Sequence, residues 1–232
     1  MVDVPAVLGY VGSALQAILL VLLLRGPISA YLPLFLFTAT LFVTSILEGW
    51  VLASQGRSSD AYFEIFFVSE FLIGTLLFLM LVTLTQRAAA GNPALSAISK
   101  FQYAVIAAVY VLPFVLFEGE PFTSPDWNAR AVQMMNFGGA IVALGLWTAV
   151  LIARLRDRQF LLVVAGLGAA FAGSAISLGI RTLAPENPFA IGFASYALQL
   201  CAIGEFALWC WAFGSKKFTS AAPTEPSAQA DS

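Results

Sequence analysis

Three carboxylates lie within long apolar stretches of the chain, and they are its residues best suited to chemistry: Glu48, Glu70 and Glu205. An ionised carboxylate costs about 2.5 kcal/mol or more at the centre of a bilayer, so each side chain is expected to face the protein interior. Glu70 is the deepest, about 13 Å along its apolar stretch. There such groups either bind protons or cations, or pair with hydroxyls, backbone groups or an arginine. The sequence leaves both roles open.

Two stripes of polar residues recur at helical spacing. The first stripe holds Thr40, Thr44 and Glu48, and the second holds Ser174, Ser177 and Arg181. Residues three or four apart share one helix face. If the two faces met, Arg181 would neutralise Glu48 or Glu70. A buried pair of this kind fixes helix register as readily as it binds a solute.

Other polar side chains of the apolar stretches complete the prediction of a ligand or proton site. The residues predicted for this site are Glu70, Glu48, Arg181, Glu205, Thr44, Ser177, Asn136 and Gln199. The alternative is that these groups form interhelical hydrogen bonds, which contribute about 0.6 kcal/mol each in membrane proteins.

Several chemistries are excluded because the chain contains no histidine. Histidine-ligated haem, the common histidine-containing zinc and iron sites, and nucleophile–histidine pairs cannot form. Cys201 and Cys210 lie nine residues apart, about 900° around a helix, so they face opposite sides and are expected to be buried free thiols. The acidic segment 118–126 matches no calcium-binding loop. No metal or cofactor is predicted, and no enzymatic activity is expected, because acid–base chemistry would rest on carboxylates alone.

The composition of the chain indicates whether the helices that hold these residues lie in water or in a lipid bilayer. Of the 232 residues, 60% are hydrophobic and 10% are charged, whereas soluble domains carry about 25% charged residues. The net charge of −2 and the lack of a basic face exclude nucleic acid as a partner. Stretches long enough to span a bilayer cover residues 4–24, 30–53, 61–84, 98–117, 131–153, 160–183 and 189–213. The predicted fold is an all-α, polytopic transmembrane bundle of about seven spans.

The cations predict the orientation of this bundle. With the N-terminus outside, eight of the eleven Lys and Arg residues fall in cytoplasmic segments, in agreement with the positive-inside rule. The C-terminus is then cytoplasmic. Residues 1–214 are predicted to form the transmembrane domain, and residues 215–232, rich in Ala, Pro, Ser and Thr, a disordered tail. The expected location is the inner (plasma) membrane of a bacterium.

The seven-span layout resembles that of retinal proteins, of sugar transporters with Pro-Gln loops, and of seven-helix sensor modules from bacterial signalling proteins. Retinal proteins need a lysine in the last span, and residues 189–213 contain none. The chain also has no Pro-Gln dipeptide and no kinase or cyclase domain. We therefore expect a non-enzymatic sensory or accessory membrane module. Its partners would be the lipid bilayer with a small apolar or weakly polar ligand, a membrane-protein partner or a second copy of the chain. The alternative is a small secondary transporter, including a proton-coupled one.

Overall fold

The computed structural model describes residues 4–26, 28–56, 59–90, 92, 95–119, 121, 124–184 and 186–215. These residues are 91% helical and include no strand. The helices are α1 (Val4–Arg25), α2 (Leu32–Gln55), α3 (Asp60–Ala89), α4 (Ser96–Leu116), α5 (Pro125–Ala153), α6 (Arg158–Leu183) and α7 (Pro188–Gly214), with a short 3₁₀ turn at Ile28–Tyr31 before α2.

All seven helices are long and apolar enough to cross a membrane. Even the shortest, α4, has 21 residues and a length of about 31 Å, against a hydrocarbon thickness of about 30 Å. The predicted seven-helix, multi-pass architecture is therefore confirmed. The side on which each terminus lies stays a prediction, and Arg57, Lys216, Lys217 and the tail from residue 216 lie outside the described residues.

Polar residues cap the first turns of four helices. These caps are Ser59, Ser124, Asp157 and Asn187. The side-chain oxygen of Ser124 accepts a hydrogen bond from the backbone N–H of Trp127 at 3.2 Å, which satisfies one of the N–H groups that a helix start leaves free. A proline follows both Ser124 and Asn187 and occupies the first position of the helix, whereas Asn92, which also precedes a proline, does not cap α4, since that helix begins at Ser96. Helix α5 begins at Pro125 and not at residue 131, where the predicted span begins. The difference arises because the first turns of α5 are polar, so a prediction from hydrophobic length leaves them out.

The helices pack in the order α6, α7, α1, α2, α3 and α5, with α4 lying outside against α3 and α5. The pairing of α6 with α7 is the most extensive. A Cβ atom at Gly166 or Gly173 of α6 would collide with Trp209 or Cys201 of α7, so glycine permits this close approach. By contrast, α5 and α6 make few contacts although they are consecutive.

The buried apolar core lies mainly in one half of the bundle, which we call the hinge half because it contains the hinge at residues 154–157 between α5 and α6. Its largest fully buried side chains include Trp209, Phe160, Leu19, Leu23 and Leu146. We call the opposite half the far half. The far half contains the opposite ends of the seven helices, and few of the largest fully buried side chains lie there. Under the predicted orientation, the hinge half is cytoplasmic.

Candidate functional site

A groove of about 810 Å³ runs between α3 and α5 in the far half of the bundle. One wall consists of eight residues of α3, from Asp60 to Thr75, which alternate at spacings of three and one and so share one helix face. The other wall is formed by the first two turns of α5, from Pro125 to Val132. The distance from Asp60 to Thr75 along α3 is about 22 Å. The volume lies within the range of about 300–1,000 Å³ that is typical of small-molecule sites.

Three of the eight residues of the α3 wall are phenylalanines: Phe63, Phe67 and Phe71. Phe63 and Phe67 stack one turn apart with ring centroids 6.4 Å from each other, and Phe66 meets Phe67 edge-on at 5.5 Å. Deeper in the groove, Phe71 contacts the ring of Tyr110 on α4 at 5.4 Å. These pairs hold the rings in fixed orientations, because edge-to-face and offset contacts between aromatic rings are favourable.

The groove ends between α3 and α4 at a polar contact. The hydroxyls of Thr75 and Tyr110 lie 2.6 Å apart and share a hydrogen bond. On the opposite wall Trp127 is 8% exposed and packs against Phe114 of α4 with ring centroids 5.1 Å apart. The buried indole of Trp127 thus supports the α5 wall.

Apart from Thr75, the polar groups of the groove lie at its mouth. Asp60 and Glu64 are one turn apart on α3, and Asn128 faces them from α5. No Lys or Arg is among the described residues that line the groove. The site can therefore hold an apolar chain against its aromatic and aliphatic walls and a polar group at its mouth. Acid–base catalysis would need a reacting group placed against the two exposed carboxylates, where water reaches freely.

None of these groove residues was predicted from the sequence. The signal that could have found them is the run of five aromatic residues Tyr62, Phe63, Phe66, Phe67 and Phe71 at helical spacing in one span, with Asp60 and Glu64 on the same side.

Two of the predicted carboxylates meet in the far half. Glu48 of α2 interacts with the side chain of Ser69 on α3, and Glu70 lies within electrostatic range of Glu48. The hydroxyl of Ser69 also donates to the backbone carbonyl of Ile65 at 2.7 Å. Helices α2 and α3 are thus joined by a polar cluster, which we call the Glu48–Glu70 cluster. Neither carboxyl lines the groove.

The two polar stripes do not meet, and Arg181 does not pair with Glu48 or Glu70. Arg181 donates a hydrogen bond to the hydroxyl of Ser195 on α7 at 3.0 Å. The physical reason is the order of the helices: α6 lies against α7, whereas the carboxylates lie between α2 and α3. The one ion pair among the described residues joins Arg87 to Asp157 at 3.4 Å, at the hinge end.

Glu205 lies apart from the other carboxylates. It is 6% exposed on the core-facing side of α7, one turn from Trp209, and no described residue donates to its carboxyl. The side-chain carbonyls of Gln16 and Gln199 are also buried without a hydrogen-bond donor. Glu205 therefore does not converge with Glu48 and Glu70, because α7 and the α2–α3 pair lie on different sides of the bundle.

The remaining predicted residues have local roles or face outwards. Thr44 is buried and its hydroxyl donates to the carbonyl of Leu41 at 3.2 Å. Ser177 is 5% exposed. Asn136, about halfway along α5, is exposed on the bundle surface. These three residues do not join a common site.

Two hinge-half contacts that were not predicted are structural. The amide of Gln102, fully buried on α4, donates to Thr85 at 2.8 Å and to the carbonyl of Val142 at 2.9 Å, and so links α3, α4 and α5. Arg87, besides its ion pair, lies 4.8 Å from the ring centroid of Tyr31. Both hold the ends of the helices in register.

A second cleft, of about 580 Å³, lies at the hinge end between α3 and α4. It is lined by Gln86, Ala89, Asn92, Ser96, Ser99, Lys100 and Tyr103. Gln86 closes part of it by donating to the hydroxyl of Tyr103 at 2.8 Å. None of the predicted site residues takes part in it.

The donor groups of the described residues do not form a metal centre, since no three His, Cys, Asp or Glu side chains among them come together in a suitable cluster. No family model, curated protein or solved structure matches the chain. The architecture and the sites are therefore interpreted from their own geometry.

Proposed function

We propose that the protein is a non-enzymatic membrane module, sensory or accessory, that binds a lipid-like ligand in the groove between α3 and α5. We place it in the inner (plasma) membrane of a bacterium. The observation that carries the proposal is the groove itself, about 810 Å³ in volume, with a mainly apolar lining between the carboxylates at its mouth and the hydroxyl of Thr75 at its inner end. Sites of this shape bury an apolar ligand and use a few polar groups to orient it.

The chemistry of the walls supports this choice over an enzyme. The rings of Phe63, Phe67 and Phe71 present apolar surface, which favours the burial of an alkyl chain at about 25 cal/mol per Å². No nucleophile stands beside a base in the groove, and its two carboxylates are open to solvent. The groove thus offers binding energy and orientation, without a group poised to react.

A small secondary transporter is the second candidate, and the Glu48–Glu70 cluster favours it. Two carboxylates that lie close together between apolar helices, in the far half of the bundle, suit a proton or cation site. Against this reading, Glu205 lies elsewhere, and neither described cleft is lined by any of the three carboxylates. A route for a solute would need such groups to line a shared, water-accessible cavity.

Purification with native lipids followed by mass spectrometry tests the binding proposal. We expect a defined amphiphile to remain with the wild-type protein at a fixed molar ratio after extensive detergent washing. Val68→Trp places an indole in the groove and should remove this species. Val43→Trp, at a comparably exposed valine of α2 away from the groove, serves as the matched control and should retain it.

Two results would contradict the proposal. One is a lipid profile of the wild type that matches the bulk membrane. The other is retention of the same species by Val68→Trp and Val43→Trp alike, which would locate the bound molecule elsewhere on the bundle.

A further inference from the structure

We infer that the groove selects a single-chain amphiphile with a cationic head group, whose ammonium lies between Asp60 and Glu64. The inference rests on the proposed function and adds the chemical class of the ligand. Residues four apart on a helix have Cβ atoms about 5–6 Å from each other, so the two carboxylates can face one ammonium together. Both line the mouth of the groove.

The two carboxylates are available to a ligand. Neither forms an ion pair with any residue that the structure describes. The nearest described cation on α5, Arg130, does not line the groove, and its guanidinium lies 5.3 Å from the ring centroid of Phe117. The described residues at the mouth therefore carry negative charge, which complements a cation.

Aromatic rings beside the carboxylates favour the same head group. Phe63 lies between Asp60 and Glu64 in sequence, lines the groove with them and is 39% exposed. An ammonium within about 6 Å of a ring face is attracted by the ring's quadrupole, and sites for quaternary ammonium ligands combine aromatic rings in this way. A neutral or anionic head group gains nothing from this arrangement.

The length of the groove supports an amphiphile that lies within one leaflet. The α3 wall runs for about 22 Å from Asp60 to Thr75. Half of a bilayer, from its midplane to the outside of the head groups, measures about 20–22 Å. The carboxylates at the end of α3 then lie at head-group level, and the apolar wall from Val68 to Thr75 lies at chain level.

Equilibrium dialysis with three probes of equal chain length tests the inference. Dodecyltrimethylammonium, dodecanol and dodecyl sulfate share one chain and differ in head-group charge. The protein is held in nanodiscs of phosphatidylcholine, and uptake by empty nanodiscs is subtracted. We expect the cationic probe to bind on the order of tenfold more tightly than dodecanol, which corresponds to about 1.4 kcal/mol, and the anionic probe to bind most weakly.

The double substitution Asp60→Asn with Glu64→Gln should abolish the preference for the cation and leave the binding of dodecanol unchanged. Asp126→Asn is the matched control, because this carboxylate lies in the first turn of α5 outside the groove lining, and it should keep the preference. Higher salt should reduce the preference in the wild type, since exposed charges are screened.

The outcomes separate the inference from the function on which it rests. Equal affinity of the wild type for dodecyltrimethylammonium and dodecanol would overturn the cationic head group while leaving the groove as a ligand site. A cation preference that survives in the double variant would also overturn it. The absence of saturable binding of every probe would overturn the proposed function as well.

Discussion

At the scale of single residues, the three intramembrane carboxylates lie in different surroundings. Glu48 and Glu70 share a polar cluster with Ser69 at the interface of α2 and α3. Glu205 lies alone in the core-facing side of α7, beside the indole of Trp209. Arg181 belongs to neither group, since its hydrogen bond goes to Ser195. The presence of a polar residue in an apolar span thus identifies neither its partner nor the side of the helix that is buried, as the exposed Asn136 shows.

This arrangement makes a prediction for double-mutant cycles. Glu70→Gln and Arg181→Gln should change the free energy of unfolding additively, to within about 0.5 kcal/mol, because the two side chains have no shared partner. Glu70→Gln and Glu48→Gln should be coupled, since each relieves the proximity of a second carboxylate. Thermal unfolding in detergent gives both cycles. Coupling between Glu70 and Arg181 of more than about 1 kcal/mol would contradict the helix order.

The Glu70→Gln variant also separates the two candidate functions. In a binding module it should leave retention of the groove ligand unchanged, because Glu70 does not line the groove. In a proton-coupled carrier it should abolish flux driven by a pH gradient across reconstituted vesicles.

At the scale of the helices, the pair that packs most closely differs from the pair that forms the proposed ligand site. Helices α6 and α7 approach closely through Gly166 and Gly173, and the indole N–H of Trp209 donates to the carbonyl of Val163 at 2.9 Å. Helices α3 and α5 also touch, at Gly74 and Met135, but they diverge towards the far ends and leave the groove between them. The pair that diverges is the pair that can admit a ligand.

Two glycines of α6 provide a matched test of this packing. Gly173→Leu must displace Cys201 of α7, and we expect it to lower the free energy of unfolding by about 1–3 kcal/mol. Gly179→Leu, six residues further along the same helix, meets no atom within 4 Å and should not destabilise. The melting temperatures of both variants in detergent decide the point. Equal effects of the two substitutions would mean that α6 and α7 are not closely packed at Gly173.

The sequence predicts the elements better than it predicts the site. Hydrophobic length identified all seven spans, whereas the start of α5 at Pro125 lies before the apolar stretch that predicted this helix. The partners of Arg181 and Glu205 could not be read from spacing, because spacing fixes the face of a residue within its own helix and says nothing about the order of helices in the bundle. The groove was missed for the related reason that it depends on the divergence of α3 from α5.

At the scale of the whole molecule, the two halves of the bundle differ in structure. The hinge half contains the apolar core and the links made by Gln102 and by Arg87 with Asp157. The far half contains the groove and the Glu48–Glu70 cluster. A compact half that holds the helices together allows the other half to remain open at its edges. Under the predicted orientation, the groove opens to the outer leaflet.

Photo-cross-linking tests the central claim most directly. A long-chain alkylamine with a diazirine in its chain is irradiated with the protein in nanodiscs, and adducts are mapped by peptide mass spectrometry. We expect adducts to be concentrated at residues 60–75 of α3 and 125–132 of α5, to be suppressed by excess unlabelled alkylamine, and to be lost in Val68→Trp. Adducts spread evenly over the accessible faces of helices such as α1 and α4, and insensitive to the competitor, would contradict a ligand site in this groove.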